Sequence, residues 1–283
     1  MSGRQTIVAF ANPGRTAAKF MSAFEKDGIK FDAIFIEMPD LRQKADRSKK
    51  TKGAFINNPV KIAKRAVEKL RHKAVDCFHE TVYRLSKAMG APPPGCLPPW
   101  TINRQHYRPE YYARFTTELI MMPGFNDNET AMQLAKIRPD VIVMCGVTRI
   151  IKEHIIGIPR IGILNAHPGA LPKYRGRDAV LHELINGDPL EVTVHQVDKG
   201  IDSGPVLEAG KISISKGDSI ETLWAATEDL GARLMVKAVR SIMDGTCRSR
   251  PQVESMACYR RAVTQSQRSE AEKRLRNIQK VLE

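Results

Sequence analysis

The run Ile163-Leu164-Asn165-Ala166-His167-Pro168-Gly169-Ala170-Leu171-Pro172-Lys173-Tyr174-Arg175-Gly176 decides how the rest of the chain is read. It opens as a buried strand: Ile161, Ile163 and Leu164 are apolar, and Pro159 marks a break just before them. It then stops on Asn-Ala-His-Pro. Pro168 cannot continue a strand ladder, and it biases His167 toward an extended backbone. Asn165 and His167 are two residues apart, so on extended chain both side chains leave one face. A strand end followed by a Pro/Gly loop is where open α/β sheets place their ligands. Further along comes Asp198-Lys199-Gly200-Ile201-Asp202-Ser203-Gly204-Pro205-Val206-Leu207. Its Gly-Ile-Asp-Ser-Gly-Pro turn can bring the Asp202 carboxylate back to that strand end.

On the N-terminal side, Thr6 to Phe10 reads as a first buried strand. Asn12-Pro13-Gly14-Arg15-Thr16 turns into a helix ending near Gly28, and Phe31 to Ile36 is a second strand. That order is the opening of a βαβ unit. The turn lacks Gly-x-Gly-x-x-Gly, which speaks against a dinucleotide site. It is either a plain βα turn or a helix N-terminus that holds an acceptor phosphate, with Arg15 as counter-charge. Residues 42–57 are polar and basic and read as a loop. Helical spacing follows from Ile62 to Leu85, and the Pro-rich run from Gly90 to Pro99 breaks it. The irregular stretch 90–112 is long for a plain connection and suggests a functional or packed surface loop.

Glu118 to Met122 is a short strand, Asn126-Asp127-Asn128-Glu129 has the residues of a helix N-terminus, and Val141 to Cys145 is a central strand followed by a short helix. Arg177 to Asn186 is helical and closed by Gly187. Val192 to Val197 alternates as a strand, with His195 on the face of Thr193 and Val197, where it reads as structural. Residues 205–214 form another strand, and Ser219 starts a long helix ending at Gly245. The charged stretch from Ser266 to Glu283 carries Leu275, Ile278, Val281 and Leu282. It reads as an amphipathic helix that docks on the body or on a second subunit.

The 283 residues are 42% hydrophobic and 27% charged, the balance of a soluble globular protein. No stretch reaches the ~20 apolar residues of a membrane helix, so no membrane association is expected. The N-terminus has no signal-peptide core, which makes cytoplasmic localisation the expectation. The five cysteines are scattered without a Cys-x-x-Cys pair, so neither a disulfide framework nor a metal site is expected. The formal charge of +14 favours anionic partners: phosphates, nucleotides, a folate polyglutamate tail or nucleic acid.

The two motifs, Asn-x-His-Pro-x-x-Leu-Pro-x-Tyr-Arg-Gly and Ile-Asp-x-Gly-Pro-x-Leu, resemble the formyltransferase family that uses 10-formyltetrahydrofolate. The resemblance is good over residues 138–215 and weaker on either side. It implies a doubly wound α/β fold with a mainly parallel, Rossmann-like sheet. A catalytic domain would span 1–215, with insertions near 42–57 and 90–112, and a helical extension would occupy 216–283. It implies Asn165, His167 and Asp202 as catalytic triad and needs no metal. Thr148, Arg149 and Ile150 would contact the folate through the main chain, with Val197, Gly200 and Ile201 also placed as folate-binding residues. Asn12, Arg15, Tyr174 and Arg175 are the candidate contacts to the acceptor; for Arg175, bracing the loop is the other reading. Glu191, where many relatives have Gly, departs from the pattern. The implied activity is formyl transfer to the amine of a small anionic acceptor, an amino sugar nucleotide or a purine-pathway amine, with a homodimer possible. The alternatives are a methionyl-tRNA formyltransferase, which usually carries an added β-barrel domain, and a formyltetrahydrofolate hydrolase. A nucleic-acid or phosphoprotein-binding module on a relic fold is opposed by the intact Asn, His and Asp.

Overall fold

A computed structural model of the protein describes residues 4–37 and 109–282. They belong to one compact unit, Met1–Arg42 with His106–Glu283; the second, Gln43–Gln105, lies outside the described residues. The expected basic loop at 42–57, the helices before residue 90 and the Pro-rich run therefore also lie outside them.

A seven-stranded sheet organises the described chain, in the order β3-β2-β1-β4-β5-β7-β8. The strands are β1 (Ile7–Ala11), β2 (Phe31–Glu37), β3 (Thr116–Met122), β4 (Val141–Cys145), β5 (Gly162–His167), β7 (Leu190–Gln196) and β8 (Val206–Ile212). From β3 to β5 every pairing is parallel; β5–β7 and β7–β8 are antiparallel. The mainly parallel α/β sheet expected from the sequence is thus observed. One small element was not foreseen: the two-residue strands β6 (Arg175–Gly176) and β9 (Tyr259–Arg260) pair in parallel, tying the loop after β5 to the C-terminal segment.

Alternation along the strands divides the core. Ile7, Ala9 and Ala11, with Val141, Val143, Leu164 and Val194, face helices α1 (Arg15–Lys26) and α5 (Ile220–Met243). Val8, Phe10, Ile142, Met144 and Ile163 face the other way, toward α2 (Asn128–Ile137) and the short α3 (Glu153–Ile156). Gly231 lets α5 approach the sheet closely: a Cβ there would stand 3.3 Å from the Ala166 Cβ. The start of α5 is fixed by a capping box, in which Ser219 and Thr222 satisfy each other's main-chain N–H. Residues 216–283 lie in the same compact unit as the sheet, and α5 contributes Ala232, Met235, Val239 and Ile242 to its core. The amphipathic C-terminal helix, α6 (Gln265–Val281), buries Ala271 and Leu275 against α4 (Ala179–Asn186) and the start of α5.

Candidate active site

The alternation that sends Ala166 toward α5 sends Asn165 and His167 to the opposite face, in line with Ile163. The antiparallel register then adds two residues from β7: His195 stands opposite Asn165, and Thr193 opposite His167. Directly opposed residues on such a pair have Cβ atoms about 4.5–5.5 Å apart, so the four side chains are neighbours. The loop between β7 and β8 folds back over this face and delivers Asp202. That residue sits in the left-handed region, at φ 51°. Its Oδ2 lies 3.4 Å from His167 Nδ1 and its Oδ1 3.5 Å from His195 Nε2. Gly176 N–H donates to Oδ2 at 2.9 Å, and Asn165 Nδ2 lies 3.3 Å from His195 Nε2. The three residues expected from the motifs are therefore brought together, and His195 joins them.

The hydrogen bonds fix where protons sit. His167 Nε2 donates to the Tyr174 carbonyl at 2.7 Å. In the neutral ring this leaves Nδ1, facing the Asp202 carboxylate, as the atom with a lone pair. His167 is buried, and burial lowers its pKa below the ordinary histidine value; Asp202 and the Tyr174 carbonyl pull upward, and His195 pulls down. The ring is neutral at rest, and a proton gained at Nδ1 would meet a carboxylate. His195 has its Nδ1 2.7 Å from the Gln196 carbonyl, which orients Nε2 toward Asn165 and Asp202. Burial pushes the Asp202 carboxyl up, but His195, His167 and the Gly176 N–H outweigh it and hold the pKa at about 2. Asp202 is a fixed negative charge between two imidazoles.

The loop after His167 is clamped from below. Thr193 Oγ1 donates to the Gly169 carbonyl at 2.8 Å, and Glu183 Oε1 accepts from Ala170 N–H at 2.8 Å. Asp198 shapes the second loop by accepting from Gly200 N–H at 3.0 Å and Ser203 Oγ at 2.6 Å. At Gly204 only a glycine fits, because a Cβ would stand 2.0 Å from the Gln196 carbonyl oxygen.

The remaining expected residues divide. Thr148, Arg149 and Ile150 follow β4 at the same sheet edge as the end of β5. Arg149 Nε reaches the buried Glu37 at 2.6 Å, and Asn126 Nδ2 donates to the Ile150 carbonyl at 2.9 Å. Ile150 is exposed and lines an open cleft together with Lys199 of the β7–β8 loop. Val197 N–H bonds the Ile163 carbonyl at 2.7 Å, Gly200 lies in the Asp198 turn, and Ile201 is exposed beside Asp202. Asn12 follows β1, which lies two strand spacings or about 10 Å from β5. Three candidate acceptor contacts are turned to internal partners instead. Arg15 Nε pairs with Glu228 at 3.3 Å. Tyr174 is buried, and its hydroxyl bonds Asp188 and Asn186. Arg175 grips Glu254 and Gln252, so of its two readings bracing the loop fits the geometry.

Residues 105–239 match the family model described as Formyl transferase. Those residues belong to the formyl transferase family. The chain is 34% identical over 145 residues to the methionyl-tRNA formyltransferase of Methylacidiphilum infernorum, a match covering 51% of this chain and 45% of that protein. It is 31% identical over 140 residues to the methionyl-tRNA formyltransferase of Kosmotoga olearia, covering 49% and 45%. The chain thus spans less than half the length of these curated relatives. Among solved structures, glycinamide ribonucleotide transformylase 1 from Symbiobacterium toebii superposes with a TM-score of 0.55 at 17% identity, covering 89% of this chain and 96% of that one. A sugar N-formyltransferase from Shewanella sp. FDAARGOS_354 gives 0.53 at 12% identity, covering 95% and 87%. At such identities the likeness is one of fold, and it extends beyond the formyl transferase stretch to most of the chain.

Proposed function

We propose that the protein transfers a formyl group from 10-formyltetrahydrofolate to the amine of a small anionic acceptor. The observation that carries this is the Asp202 carboxylate held 3.4 Å from His167 Nδ1 and 3.5 Å from His195 Nε2, beside Asn165, within a formyl transferase stretch. Formyl transfer forms a bond from the acceptor nitrogen to the formyl carbon and breaks the bond to the folate nitrogen. Negative charge grows on the formyl oxygen, and a proton moves from the attacking amine to the leaving nitrogen. Asn165 supplies amide N–H donors for the oxygen. The Asp202–His167 pair carries the proton: Asp202 is its more exposed member, and His167 Nδ1 is the site that takes up positive charge beside it. Thr148, Arg149 and Ile150, with Val197, Gly200 and Ile201, are proposed to hold the folate. Asn12 is proposed to contact the acceptor. The acceptor is of the amino sugar nucleotide or purine-pathway kind. A second reading, formylation of methionyl-tRNA, is favoured by the names of the curated relatives.

The test is a panel of amines and charged initiator tRNA with 10-formyltetrahydrofolate, following release of tetrahydrofolate in the wild type and in Asp202→Asn. The substitution keeps shape and removes charge, so kcat should fall on the order of a thousandfold or more while folate affinity stays within a few-fold. A folded Asp202→Asn protein turning over within a few-fold of wild type overturns the assignment.

A further inference from the structure

The C-terminal segment sends one side chain under the candidate triad. Gln252 Nε2 donates to the carbonyl of Asp202 at 2.8 Å and to that of Gly204 at 2.7 Å. Its Oε1 accepts from Arg175 Nε at 3.0 Å and Nη2 at 2.8 Å. Arg175 in turn holds Glu254 through Nη2 at 2.6 Å and Nη1 at 3.0 Å. Arg175 is buried, and its neighbour Gly176 donates its N–H to the Asp202 carboxylate. The Asp202 residue is therefore held at both ends: its carboxylate by the Arg175–Gly176 strand, its main-chain carbonyl by Gln252, which Arg175 orients. Asp202 also has a positive φ, a conformation that disfavours residues with a side chain and persists where surroundings impose it.

We infer that Gln252 is a positioning residue for the candidate active site, locking the Asp202 loop so that the carboxylate stays between His167 and His195. The amide suits this place because the two ends of its side chain meet opposite needs: two carbonyls require a donor, and the guanidinium requires an acceptor. A carboxylate fails the first requirement and a lysine the second. The residue lies outside the stretch matched to the family, 105–239, and follows Arg250, whose main chain exchanges two hydrogen bonds with Val206 at the start of β8.

The inference rests on the proposed formyl transfer for its kinetic arm alone. Gln252→Ala frees the loop. Gln252→Glu keeps the acceptor toward Arg175, and with it the fold, but sets a carboxylate oxygen against two carbonyls. Both should lower kcat by about tenfold to a hundredfold, the scale of a small displacement of a reacting group, with affinity for 5-formyltetrahydrofolate within about threefold. The second arm needs no turnover. In histidine ring spectra recorded against pH, both variants should titrate His167 at lower pH than wild type, because its carboxylate partner has moved away while its burial remains. If His167 titrates as in wild type in both folded variants, Gln252 does not position Asp202. If the wild type shows no transfer to any acceptor yet His167 shifts in the variants, the functional reading fails and the positioning role stands.

Discussion

Glu183 carries a carboxyl with no solvent exposure, on the helix beneath the loop that follows His167. Burial pushes its pKa up to about 8; the N–H groups of Ala170 and Glu191 pull it down, and the charges of Glu191 and Asp188 raise it further. A folded-state pKa above the unfolded value means that the folded chain keeps a proton which the unfolded chain gives up. The contribution of Glu183 to stability is therefore full below pH 4.5 and lost as pH rises through about 8. Melting curves at pH 6 and pH 9 should show a smaller loss of Tm in Glu183→Gln than in wild type, by several degrees; equal losses in the two proteins would contradict it. Glu183 also shows what was hidden in the sequence. The convergence of Asn165, His167 and Asp202 was legible because Pro168 ends a strand with Asn165 and His167 on one face and a Gly-Ile-Asp-Ser-Gly-Pro turn can return a carboxylate to it, while their proposed role comes from the family resemblance. Glu183 looks like any polar residue on an amphipathic helix, and only packing shows that it faces inward. His195 was read as structural because nothing local shows that β7 runs antiparallel to β5 in the register that sets it opposite Asn165.

Among elements, the buried strands and the long helices followed their periodicities, and boundaries differ from the reading by a residue or two. The β6–β9 pair was missed because two residues carry no period. Its importance lies in β6 itself, where Arg175 holds Gln252 and Gly176 donates to the Asp202 carboxylate. Helix α5 supports β5 from behind, and it comes close at Gly231: a Cβ there lies 3.3 Å from Ala166 Cβ, 3.5 Å from Val192 Cγ1 and 3.6 Å from Phe20 Cζ. Gly231→Leu should lift the helix off β5 and cost about 1–3 kcal/mol in denaturant unfolding. Because Ala166 lies between Asn165 and His167, kcat should fall as well. An unfolding midpoint equal to wild type would show that the interface has slack that the distances do not suggest.

For the whole molecule, the excess of 45 Lys and Arg over 31 Asp and Glu sets the long-range field. Many of the described cations are paired, as Arg15 and Lys19 are with Glu228 and Arg240 is with Asp27. The net field nevertheless draws anions and weakens as salt shortens its reach. Raising salt from about 50 to about 250 mM should increase the KM of the acceptor several-fold with little change in kcat. For a tRNA acceptor the loss should be far steeper, since several phosphate contacts release counterions together. A KM that does not respond to salt would separate the charge from acceptor binding.

β2 and β3 pair in parallel along six residue pairs, from Phe31 with Thr116 to Glu37 with Met122, although the chain runs through residues 38–115 between them. Closing a chain segment costs entropy that grows only with the logarithm of its length, about 0.6 kcal/mol for each doubling. Once the strand ends are spaced widely enough to join, further residues between them hardly weaken the pairing. This sheet edge is therefore a place where added residues cost the fold little, whereas the loop between β7 and β8, fixed by Asp198 from within and by Gln252 from outside, has almost no such latitude.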